Sequence, residues 1–265
     1  MKYMNCIRNI ENNLIRIIGK NMYDFITNFD TTAELASFSA TTDFRKPHVS
    51  LTKDSGEVYF FDKFDYIEIG GAKWATMNVG ATAVTDTGLY FQWGDTSGYT
   101  ASQVGSGSGQ KYFTWVDYKY GNGTSSPGAT GMTKYNSTDG KTVLDTSDDA
   151  VTANWGSSWR MPTTDEYAAL GAAVNTAWTA DYQGSGVAGL VCTDKTDSSK
   201  VLFFPSAGYC NNGGVSDVGT NGYYWSSSLT SNVLGASNIY FYSSGVDWQD
   251  NDYRDYGNSV RGVLV

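Results

Sequence analysis

Apolar positions follow two different rhythms along the chain, and the rhythm changes near residue 62. Ile7, Ile10, Leu14, Ile17 and Ile18 recur at helical spacing before Gly19, which predicts a short amphipathic helix. A second short helix is expected over residues 30–39, where Asp30 or Thr31 can cap and Glu34 stands three positions after Thr31. Over residues 47–61, Val49, Leu51, Val58 and Phe60 flank the turn residues Asp54, Ser55 and Gly56, the pattern of a β-hairpin. From Tyr66 onward the segments become short, Gly-rich and Trp-rich, as in YIEIGG, KWATMNVG and GLYFQWGDTSGYT. The stretches 100–109 and 122–131 read as loops. In WGSSWRMPTTDEYAAL, Thr163 or Thr164 caps a helix with Glu166 in its first turn and Tyr167, Leu170 and Val174 on one face. Residues 187–209 and 223–265 return to strand patterns. The expected organisation is an N-terminal attachment or oligomerisation region, 1–62, followed by one larger domain, 63–265.

Near the C-terminus, in ASNIYFYSS, Ile239 and Phe241 alternate with Asn238, Tyr240 and Tyr242. A strand with that alternation has one apolar face and one face of amide and phenol groups. The segment 237–257 that contains it is rich in Tyr, Asp, Ser and Gly, the composition of an antibody loop, and its sole basic residue is Arg254. Solvated faces favour Lys and Glu, which this segment lacks, so so many tyrosines point to a contact surface.

Composition narrows the function classes. The chain has 265 residues and a net charge of -9, which disfavours nucleic acid and anionic membrane as partners, because both require clustered Lys and Arg. No apolar run reaches the ~18 residues of a membrane span. Residues 7–18 are interrupted by Arg8, Glu11 and Arg16. No secretory leader is legible, so synthesis in a cytoplasm is expected, with Met1 or Met22 as the start. Cys6, Cys192 and Cys210 form no CxxC pair, and His48 is the single histidine, which leaves no Cys/His zinc set. A Cys192–Cys210 disulfide is compatible with the sequence. Asp247, Asp250, Asn251, Asp252 and Asp255 gather oxygen ligands suited to calcium, but the EF-hand spacing is absent and a metal-free site without cofactor is expected.

Read in order, KWATMNVGA, YFQWGD, WGSSWRMPTTDEYAAL, LFFPSAGY, GYYWSSS, then Ala236 with Ile239 and Phe241, and finally Arg254, Gly257 and NSVRGVLV resemble the Fibrobacter succinogenes major paralogous domain family over residues 66–265. The resemblance implies an α+β class: a C-type-lectin-like domain in the variant shared with formylglycine-generating enzymes and with retroelement-diversified variable proteins such as phage major tropism determinants, with short strands, few helices and long loops behind a small helix and hairpin region. It further implies a ligand surface on the C-terminal strand and loop, at Asn232, Leu234, Asn238, Tyr240, Tyr242, Ser244, Asp247, Trp248, Asp250, Asn251, Asp252, Tyr253 and Asp255. Trp248 can join that surface or turn into the core. Gly245 is expected to turn the chain so that the following loop folds over Tyr240 and Tyr242, with Arg254 tethering one of its aspartates.

Trp155, Trp159 and Trp225 are expected to pin the core, Arg160 and Arg261 to tie irregular backbone with their guanidinium donors, and Gly257 and Gly262 to permit close backbone approach. The reactive cysteine pair of the formylglycine-generating enzymes is not matched, so no catalytic residue and no enzymatic activity are expected. What the resemblance implies is a display protein that binds a host-surface protein or glycan, as a virion fibre tip, receptor-binding protein or retroelement variable protein. Its N-terminal region would dock on phage structural proteins as a homotrimer, with Ile7, Ile10, Leu14 and Ile17 at the interface. The alternative is an adhesin on a bacterial cell surface.

Overall fold

The computed structural model describes residues 65–265 throughout and, before them, the backbones of four short strands. The chain divides into two compact units, Met1–Asp65 and Tyr66–Val265. In the first, β1 (Asn5–Ile7), β2 (Ile26–Phe29), β3 (His48–Thr52) and β4 (Val58–Phe61) form a sheet in the order β1-β4-β3-β2. β3 and β4 pair antiparallel, with His48 opposite Phe61, and β2 runs parallel to β3. Ile7 therefore ends a strand, not a helix. The rest of the expected N-terminal helix, with Ile10, Leu14 and Ile17, lies outside the described residues, as do residues 30–39 and the turn at Asp54, Ser55 and Gly56.

The second unit carries β5 (Tyr66–Ile69), β6 (Ala72–Asn78), α1 (Ala150–Trp155), β7 (Trp159–Arg160), α2 (Thr164–Ala173), β8 (Val174–Thr179), β9 (Gly189–Asp194), β10 (Val201–Pro205), β11 (Tyr209–Asn211), β12 (Gly214–Ser216), β13 (Asn221–Leu229), β14 (Gly235–Tyr242), β15 (Gly245–Tyr253) and β16 (Arg261–Leu264). These strands make four small sheets, ordered β5-β6-β16-β7, β10-β9-β8, β11-β12 and β13-β14-β15. Local sequence explains several joints. Gly70 and Gly71 both have positive φ, which lets Ile69 and Ala72 pair across a two-residue turn. Asp149 caps α1 by accepting from the Thr152 amide at 2.9 Å, and α1 stops at Gly156.

Thr163 caps α2 through a reciprocal box with Glu166, which also receives both terminal nitrogens of Arg160 at 2.6 and 2.7 Å. Thr163→Ala should cost about 1 kcal/mol in urea denaturation, the usual worth of a helix cap.

The main core joins Trp74 of β6, Tyr167 and Leu170 of α2, Leu202 and Phe204 of β10, Tyr224 of β13, Ile239 and Phe241 of β14 and Val263 of β16. Burying large side chains from six elements on one apolar cluster is what fixes the order of the sheets.

The α+β expectation, and the C-type-lectin-like arrangement attached to it, give way here to a β-rich fold with short helices: among the described residues strand makes up 38% and helix 15%. The physical reason lies in the helical segments. α1 is stopped by Gly156, and α2 is a single ten-residue helix that runs straight into β8 at the β-branched Val174.

Candidate functional site

β13, β14 and β15 form an antiparallel sheet whose two faces differ. Ile239 and Phe241 of β14 and Val246 and Trp248 of β15 turn to the core, where α2 lies. On the opposite face, Tyr223 of β13 sits across from Tyr240, and Asn221 across from Tyr242. Asp247 and Asp250 of β15 pair with Tyr240 and Asn238, so strand alternation brings them to this same face.

The tyrosines of this face belong to one continuous row of rings. Tyr242 stacks on Tyr240 at 5.4 Å, Tyr240 meets Tyr223 at 4.9 Å, and Tyr223 meets Tyr209 of β11 at 5.0 Å. Tyr209 stacks on Tyr256 at 5.6 Å, Tyr256 meets Tyr253 at 5.8 Å, and Tyr253 meets Trp115 at 6.1 Å. Each spacing lies in the range where aromatic pairs attract. The row is half-buried along its middle, and its members Tyr242 and Tyr253 are 41% and 50% exposed.

Beside Trp115 and Tyr253 the surface sinks into a groove of about 590 Å³ lined by Tyr112, Trp115, Val116, Tyr253, Tyr256 and two carboxyls, Asp117 and Asp255, among others. Three of the eight exposed large hydrophobic residues among the described residues, Tyr112, Val116 and Tyr253, line this one groove.

The two carboxyls stand in different states. Asp117 accepts from the Thr114 amide at 2.6 Å and lies 3.3 Å from the Lys111 ammonium. Although burial acts against it, these partners hold its pKa below the usual carboxylate value. Asp255 is 5% exposed, and its Oδ1 has no hydrogen-bond partner. Burial, with the neighbouring charges of Asp117 and Asp252, pushes its pKa up to about 7. Asp252, pushed up to about 6 by burial first of all, accepts from the side-chain amides of Asn238 at 2.7 Å and Asn258 at 3.0 Å.

The sequence-predicted surface residues separate accordingly. Tyr240, Tyr242, Asp247, Asp250 and Tyr253 are exposed or half-buried along or beside the row. Asn238 and Asp255 are buried, and Asn238 is spent on Asp252, so free side chains at these two positions are a correction to the sequence reading. Trp248 turns inward against the core and over Gly171. Asn251 pairs with Ser237 on the face away from the row. Asn232 and Leu234 belong to the turn before β14, where Asn232 Oδ1 accepts from the Leu234 amide at 3.1 Å.

The loop expected after Gly245 is also corrected: Ser243 and Ser244 make a two-residue turn, and residues 245–253 are the edge strand β15. Arg254 tethers no aspartate of that strand. It is fully buried, donates to the Tyr135 carbonyl at 3.0 Å, and lies over the rings of Trp93 and Tyr118. Sequence reading missed Tyr112, Trp115, Tyr209 and Tyr223, which reach the site from distant loops and strands, and Tyr256, three residues past Tyr253. Only the aromatic richness of YFTWVDYKY hinted at the first two.

The expected scaffold residues take these places. Trp225 is buried and donates its indole N–H to the Phe91 carbonyl at 2.8 Å. Trp155 and Trp159 meet edge to face at 5.4 Å. Trp155 and Val151 press on Gly262, and Phe113 on Gly257, where any Cβ would collide. Cys192 and Cys210 are separate buried thiols, not a disulfide, and burial pushes the Cys210 thiol up to about 12. Among the described residues no three His, Cys, Asp or Glu side chains converge as a metal set, and no helix is long and apolar enough to cross a membrane.

Comparison with known proteins gives one family match: a domain of unknown function, DUF8237, over residues 192–263. That span contains every tyrosine of the row and leaves out Trp115 and Tyr112. No curated protein and no solved structure matches the chain.

Proposed function

We propose that the protein is a non-catalytic binding protein that presents its tyrosine row to a protein on a host-cell surface. The observation that carries this reading is the unbroken succession of rings from Tyr242 to Trp115 on one side of the second unit. Stacked, half-buried tyrosines are already ordered before a partner arrives, so contact costs little side-chain entropy, and each phenol offers a hydrogen bond beside an apolar ring. The row is flanked by Asp247, Asp250 and Asp252, which would select a partner surface carrying positive charge.

A separate N-terminal unit, Met1–Asp65, suits docking on a particle, and this favours display on a virion, as a fibre tip or receptor-binding component, over display as an adhesin on a bacterial surface. The N-terminal unit then serves attachment to phage structural proteins, as a homotrimer that multiplies a weak single site.

The test replaces Tyr240, Tyr242 and Tyr253 together by Ser. With aromatic anchors worth about 2 kcal/mol each on truncation, attachment to host cells should fall by roughly 100-fold or more while the melting temperature holds. Full attachment by the triple variant overturns the reading. Pre-treating cells with protease should abolish attachment. Survival of attachment after protease and its loss after glycan removal would make the receptor a glycan.

A further inference from the structure

The groove beside Trp115 and Tyr253 is rich in open hydrogen-bond donors and poor in open charged acceptors. Tyr112 and Tyr253 are 42% and 50% exposed, and Asn212, which also lines the groove, is exposed as well. Neither the Trp115 indole N–H nor the Tyr256 phenol is sealed from solvent. None of these five side chains makes a hydrogen bond among the described residues. The two carboxyls are withdrawn: Asp117 is spent on the amides of Phe113 and Thr114 and on Lys111, and Asp255 is buried.

Unusual backbone fixes the aromatic walls. Phe113 has a φ of 55°, left-handed and rare for a bulky residue, and Asn212 has a φ of 46°. The Asn212 amide donates to the Phe113 carbonyl at 3.1 Å and the Gly213 amide to the Tyr112 carbonyl at 2.6 Å, so two loops distant in sequence are locked together. The Phe113 ring packs on Gly257 and the Tyr112 ring on Gly213, where a Cβ would collide. An ordered aromatic trough that presents donors fits a chain that presents carbonyls, buries flat apolar rings and carries few N–H groups of its own. A polyproline II segment meets all three conditions, because its backbone makes no internal hydrogen bonds and each proline removes an N–H.

We propose that this groove receives a proline-rich, extended segment of the partner protein, its pyrrolidine rings against Tyr112, Trp115 and Tyr253 and its carbonyls accepting from the Trp115 indole N–H and the Asn212 amide. The inference rests on the reading of the tyrosine row as a binding face, because Tyr253 and Tyr256 belong to both row and groove. One turn of such a segment is about 9 Å long. Trp115, Tyr253 and Tyr256 follow one another at 6.1 and 5.8 Å, so a single turn touches at least two of them. A sugar is a poorer match: its hydroxyls donate as well as accept, and the carboxylates that would receive those donors are withdrawn.

The test uses the full-length chain and acetyl-hexaproline-amide, set against a flexible blocked peptide of equal length made of alternating glycine and alanine, and against the methyl glycosides of glucose, galactose and N-acetylglucosamine. Binding is followed by NMR at the Asn212 side-chain amide and the Trp115 indole N–H. Hexaproline should shift both signals saturably and bind at least about tenfold more tightly than the flexible peptide, which must be ordered on binding and lacks the rings. Trp115→Phe keeps a ring and removes the donor, and should weaken hexaproline by about threefold or more, read at Asn212. Tyr253→Ser should weaken it by about fivefold or more, the loss of one wall.

No saturable shift with hexaproline, equal binding of the two peptides, saturable binding of a glycoside at the same signals, or an affinity unmoved by Tyr253→Ser would each overturn the proposal. Should a variant fail to fold, the comparison of ligands on the unmodified chain still decides it. Absence of hexaproline binding alongside loss of attachment in the tyrosine triple variant removes the proline-rich segment and leaves the display reading in place.

Discussion

Arg261→Ala is expected to destabilise the second unit by about 3–5 kcal/mol, because it strips donors from acceptors that stay buried. Arg261 is fully buried, and its guanidinium ties β6 and β10 to its own strand, β16. Nε donates to Asn78 Oδ1 at 2.9 Å, one terminal nitrogen to the Ala75 carbonyl at 3.0 Å and the other to the Phe203 carbonyl at 2.9 Å. The Phe204 ring lies 4.5 Å from its centre. None of the ion pairs among the described residues includes it, so its charge is held by carbonyl dipoles and a ring face rather than by a carboxylate. Burial accordingly draws its pKa down.

Arg261→Lys keeps the charge but can reach these three acceptors only from a single point, and it should recover less than half of the loss. All eight tryptophans lie in the second unit, so urea unfolding followed by tryptophan fluorescence reads that unit alone. A loss below about 1 kcal/mol, the scale of an ordinary surface substitution, would show that Arg261 does not tie the sheets.

Arg261 also illustrates what a sequence can disclose. Its role as an internal guanidinium is legible from residue type, and so is the α2 cap, since Thr163 and Glu166 lie three residues apart and satisfy each other locally. The alternation of Ile239 and Phe241 with Tyr240 and Tyr242 is legible too, because side chains in a strand change face at every residue. The segment 245–253 hid its nature. As an edge strand it shows solvent on one side, and its polar residues fall on both faces, which looks like a loop.

The groove was hidden for a different reason. Trp115 and Tyr112 come from a loop that meets Tyr253 only through tertiary packing, and no local pattern registers such a meeting. Arg254 was read as a tether for nearby aspartates, whereas its partner is the Tyr135 carbonyl, far away in sequence.

Asp255→Asn is expected to raise the stability of the second unit at pH 7.5 by about 2–4 kcal/mol, taking 1.36 kcal/mol for each unit of pKa difference. The folded-state pKa, pushed up to about 7 mainly by burial, stands above the unfolded value near 4. Between those two values the folded chain holds a proton that the unfolded chain has released. Stability therefore falls as pH rises through roughly 4 to 7 and levels off above it. Asp252, pushed up to about 6, contributes in the same direction. Asp148 opposes them: its contacts with Lys134, Tyr120, Tyr135 and Lys119 outweigh burial and hold its pKa low, so its contribution is lost as pH falls toward the acid range. Replacement of Asp255 by the neutral amide should flatten the decline between pH 4 and 7 and leave the acid limb governed by Asp148 unchanged. An Asn variant that is less stable at pH 7.5, or that follows the parent curve in parallel, would show that Asp255 is stabilised by partners rather than strained.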